Sequence, residues 1–116
     1  MVEDDDQVLE VIPRFLSQAG YTVLAAANQE TALYLLGRDG PTVELIVTDL
    51  VRPGMNGLEF AAAAARVHPG AKVLFMAGFP GDEPLKRDAL AAGHSSIDKP
   101  FSPEALLQAV RESLGA

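Results

Sequence analysis

Apolar residues along the chain alternate between short β-branched runs and longer stretches at helical spacing. That order predicts a parallel sheet with helices on both faces. Val8, Val11, Ile12, Phe15, Leu16 and Ala19 recur at helical intervals and predict a helix over Gln7 to Ala19. Asp5 or Asp6 supplies its cap, Gly20 ends it, and Pro13 within it predicts a kink. Thr22 to Ala26 reads as a strand, and Asn28 caps a second helix that runs to about Gly37 through Ala32, Leu33, Leu35 and Leu36. Val43 to Thr48 is a nearly continuous apolar run, as a strand buried on both faces requires, and it delivers Asp49 to its C-terminal end.

Pro53, Gly54 and Gly57 punctuate a loop before a helix over Leu58 to Val67, which His68, Pro69 and Gly70 stop. Val73 to Met76 is the next strand, and a helix from about Pro84 to Ala92 ends at Gly93. Ser95 to Asp98 forms a short last strand, and Ser102 with Pro103 starts a closing helix to Leu114. No linker or repeat interrupts the pattern, so residues 1–116 read as one domain with one core.

Charge narrows the function classes. A formal net charge of −7 argues against direct binding to nucleic acid or to anionic lipid, since both require clustered Lys and Arg. The chain has no cysteine, which removes disulfides and thiolate metal sites and fits a cytoplasmic location. Acids follow Met1 and Val2 directly, with no basic or long apolar segment that reads as a signal peptide or membrane span.

In a doubly wound sheet, ligands bind at the carboxyl ends of the strands. Glu3 and Asp4 near the start, Asp49 after the third strand and Lys99 after the last would meet at that edge. Three carboxylates beside one ammonium are costly unless a cation neutralises them, and an all-oxygen donor set favours Mg²⁺ or Mn²⁺. Taken singly, Glu3 to Asp6 could serve only the start of a helix, Asp49 could cap a strand end, and Lys99 could be a surface lysine beside a turn. Their joint spacing favours a site. His68 and His94 sit at helix ends and are read as terminus residues outside it.

Three segments carry a family resemblance: Val2-Glu3-Asp4-Asp5, Asp49-Leu50-Val51-Arg52-Pro53-Gly54-Met55-Asn56-Gly57 and Lys99-Pro100-Phe101. In order and spacing they resemble the signature blocks of response-regulator receiver domains of two-component signalling, and the likeness covers essentially the whole chain. The stretch Lys72 to Phe79 is similar to receivers attached to hybrid histidine kinases. The resemblance implies a flavodoxin-like α/β three-layer sandwich, with a five-stranded parallel sheet in the order 2-1-3-4-5 and about five helices. It implies that Asp49 accepts a phosphoryl group from a histidine kinase or histidine phosphotransfer protein. It further implies that Glu3, Asp4, Asp49 and the backbone carbonyl of Val51 hold Mg²⁺, that Lys99 offsets charge on the transferring oxygens, and that the Lys99–Pro100 bond is cis.

The chain departs from that family in two places. Where receivers carry a switching hydroxyl and an aromatic residue, this chain has Ala77 and Ser96, which predicts an atypical or weak conformational response. Only Met1 and Val2 precede the acids, so the first strand, interior in the expected order, reads as truncated: either the chain is an incomplete version of a natural domain, or another segment fills the gap, as a second copy could by strand exchange in a homodimer. Two other readings are a phosphorylation-independent pseudo-receiver and a metal-dependent phosphohydrolase. The latter usually needs a second acid where Val51 stands. Phe79 is a candidate shield for the acceptor, and Phe101 a packing residue.

Overall fold

Three parallel strands, β1 (Leu45–Asp49), β2 (Lys72–Ala77) and β3 (Ser95–Asp98), pair in that order. Leu45 lies opposite Lys72, Asp49 opposite Met76, and Phe75 opposite Ser96. The computed structural model describes residues 1–38, 40, 42–51, 55–78 and 81–115, so Arg52, Pro53, Gly54 and Phe79 lie outside the described residues.

Alternation along the strands sends successive side chains to opposite faces. Val47, Leu74 and Met76 pack with Ile12 and Leu16 of α1 (Asp6–Gln18) and with Leu106 and Val110 of α5 (Pro103–Gly115). Ile46, Val73 and Phe75 pack on the other face, against α2 (Gln29–Gly37), α3 (Gly57–Val67) and α4 (Glu83–Ala91), through Leu36, Phe60, Ala64 and Ala89. The expected three layers and five helices are therefore present.

Local chemistry fixes the element ends. The Asp5 carboxylate accepts from the Gln7 and Val8 amides and starts α1, which continues through Pro13. Asn28 caps α2 by accepting from the Thr31 amide, and Ser102 Oγ accepts from the Ala105 amide at the head of α5. Gly20 and Gly93 follow α1 and α4 with φ of 104° and 90°, conformations that side chains with a Cβ rarely adopt.

The sheet differs from expectation on one side. Thr22 to Ala26 does not form a strand, and of that stretch only Ala26 makes a parallel bridge, to Val2. Val2 also bridges Thr48, so Met1 to Glu3 stand where the interior first strand belongs and preserve the 2-1-3-4-5 order in vestigial form. The pairing is real but short. Val2 donates to the Val47 carbonyl at 2.8 Å, Glu3 to the Ala26 carbonyl at 3.1 Å, Ala26 to the Met1 carbonyl at 2.9 Å, and the Met1 ammonium to the Leu24 carbonyl at 2.7 Å. A parallel strand needs a partner for each of its alternate peptide groups, and Thr22 and Val23 extend past the end of theirs. Beyond Met1 a groove of about 600 Å³ lies between this stretch and β1, lined by Leu16, Val23, Leu24, Leu36, Leu45 and Leu114 among others.

β1 begins two residues later than the apolar run suggests, because the Val43 amide donates to His68 Nε2 at 3.0 Å instead of entering a ladder. His68 Nδ1 lies 3.1 Å from the Leu36 carbonyl, so a neutral ring with its proton on Nδ1 satisfies both contacts and joins the ends of α2 and α3 to the approach to β1. His68→Ala should therefore cost about 1–3 kcal/mol, the usual penalty for leaving partly buried backbone groups unpaired, measured by urea unfolding. A short apolar extension, Val-Leu-Ile-Val, placed ahead of Met1 should enter the groove and raise both the unfolding midpoint and the urea m-value, since more apolar surface is removed from water.

Candidate functional site

The two bridges made by Val2 set Glu3 beside the end of β1, where Asp49 is the last strand residue. Oxygen atoms of Glu3, Asp4 and Asp49 lie within 4.8 Å of one another. Glu3 and Asp49 are buried, at 2% and 6% exposure, whereas Asp4 faces solvent. Lys99 reaches in from the end of β3 and brings its Nζ to 2.6 Å from Asp49 Oδ1 and 3.5 Å from Glu3 Oε2. The four charged residues expected at this edge thus meet.

Two glycines make the approach possible. A Cβ on Gly57 would lie 2.8 Å from the Asp49 carbonyl oxygen and 2.9 Å from Leu50 Cα, so the chain leaving the acceptor loop presses directly on the backbone of the site. The Gly57 amide donates to the Leu50 carbonyl at 2.7 Å and closes that loop. On the other side, a Cβ on Gly78 would come within 2.8 Å of Lys99 Cβ, and the Lys99 amide donates to the Ala77 carbonyl. These contacts fix the backbone from which Lys99 extends. The Lys99–Pro100 bond is cis, as the family resemblance implies.

Ala77 is buried at the end of β2, and Ser96 is half-buried within β3, so both stand on strands that border the cluster. Val51 is half-buried in the bend two residues beyond Asp49. His94 packs edge-on against Phe75, with ring centroids 5.4 Å apart, and burial pushes its imidazole below the ordinary range. Asp82 is a buried carboxylate that the sequence pattern did not single out; it accepts from the Gly78 amide at 3.0 Å. Its position before α4 resembles an ordinary helix cap, which hides its actual contact.

Electrostatics favour an added cation. Burial raises the Glu3 carboxyl above its ordinary range; hydrogen bonding from the Asp5 amide opposes that rise and the nearby Asp49 charge adds to it. Burial alone would lower Lys99, but the hydrogen bond and charge of Asp49, with Glu3 behind it, outweigh burial and raise it. Among the described residues, the Lys99 ammonium stands against three carboxylates. A hard divalent ion with oxygen ligands fits this donor set, and Glu3, Asp4 and Asp49 are the side chains able to hold it.

Because the Glu3 value is raised in the folded protein, its contribution to stability is present below the unfolded carboxyl range and is lost as pH rises through the folded value. Glu3→Gln should accordingly stabilise the metal-free protein, by a margin that widens as pH rises into the neutral range. Saturating Mg²⁺ should narrow that margin by stabilising the parent. Thermal unfolding of both proteins across pH, with and without Mg²⁺, checks it.

Comparison with known proteins agrees with this geometry. The sequence profile of the response regulator receiver domain matches residues 1–111. The chain is 33% identical over 114 residues to the sensor kinase CckA of Brucella abortus, covering 98% of this chain and 12% of that protein. It is 29% identical over 119 residues to the response regulator receiver protein CpdR of the same organism, covering 98% of this chain and 93% of that one. A solved CheY-like response regulator receiver domain protein from Methanospirillum hungatei matches with a TM-score of 0.82 at 29% identity, over 97% of this chain and 89% of that chain. The chain spans only 25–44% of the length of three further curated relatives, all larger proteins. Since the matched residues run through every strand and through both the acidic segment and Lys99, the chain belongs to the response regulator receiver domain family.

Proposed function

We propose that Asp49 accepts a phosphoryl group from a phosphohistidine, in a Mg²⁺-dependent reaction, on a histidine kinase or histidine phosphotransfer protein. Receiver domains of two-component systems are phosphoacceptor domains that interact with such partners and bind Mg²⁺ at an acidic pocket. The observation that carries the reading for this chain is the buried Asp49 carboxylate held 2.6 Å from Lys99 Nζ, beside Glu3 and Asp4.

The step follows from those contacts. An Asp49 oxygen attacks phosphorus, an O–P bond forms as the P–N bond breaks, and the imidazole nitrogen keeps the electron pair and takes up a proton. A carboxylate is a weak nucleophile toward an anionic group, so stabilising charge on the transferring oxygens is the main task. Lys99 is placed to donate to one of those oxygens. Bound Mg²⁺, held by Glu3, Asp4, Asp49 and the Val51 carbonyl, supplies further positive charge. The same groups assist hydrolysis of the aspartyl phosphate, which is the extent of the chain's own catalysis.

Ala77 offers no hydroxyl to the phosphoryl group, and Ser96 offers no aromatic ring to turn inward. Losing one hydrogen bond to a charged group costs on the order of 1.5–3 kcal/mol, which weakens coupling more than transfer. The reading is therefore a receiver with an atypical switch, acting in the cytoplasm without direct contact to nucleic acid or membrane. None of its described helices is long and apolar enough to cross a bilayer. The net charge of −7 disfavours polyanionic partners. Ala77, Ser96 and the short first strand motivate a phosphorylation-independent pseudo-receiver as the second reading. A phosphohydrolase is disfavoured because Val51 stands where its second acid is needed.

Incubation with acetyl phosphate and Mg²⁺ should add the mass of one phosphoryl group to the parent and none to Asp49→Asn. A folded, Mg²⁺-binding parent that gains no mass would replace this reading with the pseudo-receiver.

A further inference from the structure

The start of a helix presents unpaired N–H groups, and at the start of α2 the Asn28 side chain supplies the acceptor. Gln29 is the first residue of α2, half-buried, with its backbone set by the Asn28 cap. Its Nε2 donates to the Met55 carbonyl at 2.8 Å, across 26 residues of sequence. Met55 precedes Asn56, the residue that caps α3, so its carbonyl lies just outside the helix, at the far end of the loop that begins after Asp49.

That loop is stapled at its neck by the Gly57 amide on the Leu50 carbonyl, and the Asn56–Glu59 capping box fixes where α3 starts. Gln29 holds it from outside. The segment that carries Gln29 is anchored in turn to the acid cluster, since Ala26 accepts from the Glu3 amide at 3.1 Å. The tie therefore runs from Gln29 to the Met55 carbonyl and, two residues on, through the Gly57 amide to the Leu50 carbonyl, next to Asp49 and Val51.

We infer that Gln29 is a positioning residue for the cation site: by tying the Met55 carbonyl to α2, it holds the Gly57 amide against the Leu50 carbonyl and so keeps the backbone of Asp49 to Val51 at the distance from Glu3 that a shared divalent ion requires. The inference rests on the receiver reading, in which the loop contributes a backbone ligand. Holding a long side chain in one rotamer is costly in entropy, so the tie persists because a rigid helix start aims it. Outer contacts that orient a metal's ligands are commonly worth a factor of ten or more in affinity.

Calorimetric titration of the unphosphorylated protein with Mg²⁺ tests it, comparing the parent, Gln29→Met, Gln29→Asn and His68→Ala. Gln29→Met keeps the shape without the donor, Gln29→Asn keeps the amide but falls short of Met55, and His68→Ala loses stability away from the site. Both Gln29 variants should bind Mg²⁺ roughly tenfold more weakly than the parent. They should also exchange amide hydrogens faster in the loop from Leu50 to Gly57, while His68→Ala keeps the parent's affinity. Parental affinity in both Gln29 variants, or equal weakening in His68→Ala, would overturn the role of Gln29 alone. A parent that binds no Mg²⁺ would overturn the receiver reading and this inference together.

Discussion

Like charge held out of water at the ends of parallel strands is the constraint on which this structure turns. Glu3 and Asp49 are buried within reach of one another and of Asp4, and among the described residues the Lys99 ammonium lies against them. Such a group does not serve stability, because removing charges from water costs more than one ion pair returns. Its neighbours are arranged around that cost. Gly57 and Gly78 let backbone approach the cluster where any Cβ would collide, and Val2 pairs on both sides so that the chain delivers Glu3 to the edge.

The sheet carries a second tension. Met1 to Glu3 stand at its interior position, and their hydrogen bonds run to both neighbours. The pairing that survives is the part nearest the acids, where loss of backbone partners would also displace Glu3. The groove is lined by residues of both cores, Val2 and Leu36 from one and Leu16 and Val47 from the other.

Ala77 and Ser96 stand on strands that border the cluster, where the family usually carries a hydroxyl and an aromatic residue. Ala77 is buried and its carbonyl receives the Lys99 amide, so the end of β2 reports on the lysine through backbone rather than through a side-chain hydroxyl. Asp82 holds the adjacent Gly78 amide and precedes α4, which places a carboxylate between the strand end and a helix. Gln29 performs a comparable task on the opposite flank.

Periodicity and punctuation determined the helices, the three ladder strands and the meeting of Glu3, Asp4, Asp49 and Lys99, because each of these follows from local rules. Apolar residues repeat at the spacing of the element, caps and glycines mark its ends, and parallel strands bring their carboxyl ends to one edge. Tertiary structure alone decided the rest. Thr22 to Ala26 has strand-like composition but lacks a partner long enough to make it one, and Val43 leaves the ladder because His68, distant in sequence, takes its amide. The contacts of Gln29 with Met55 and of Asp82 with Gly78 join residues whose local pattern reads as an ordinary helix start. A strand or a polar tie exists only when a partner stands opposite, and which residues stand opposite one another is a property of the folded chain.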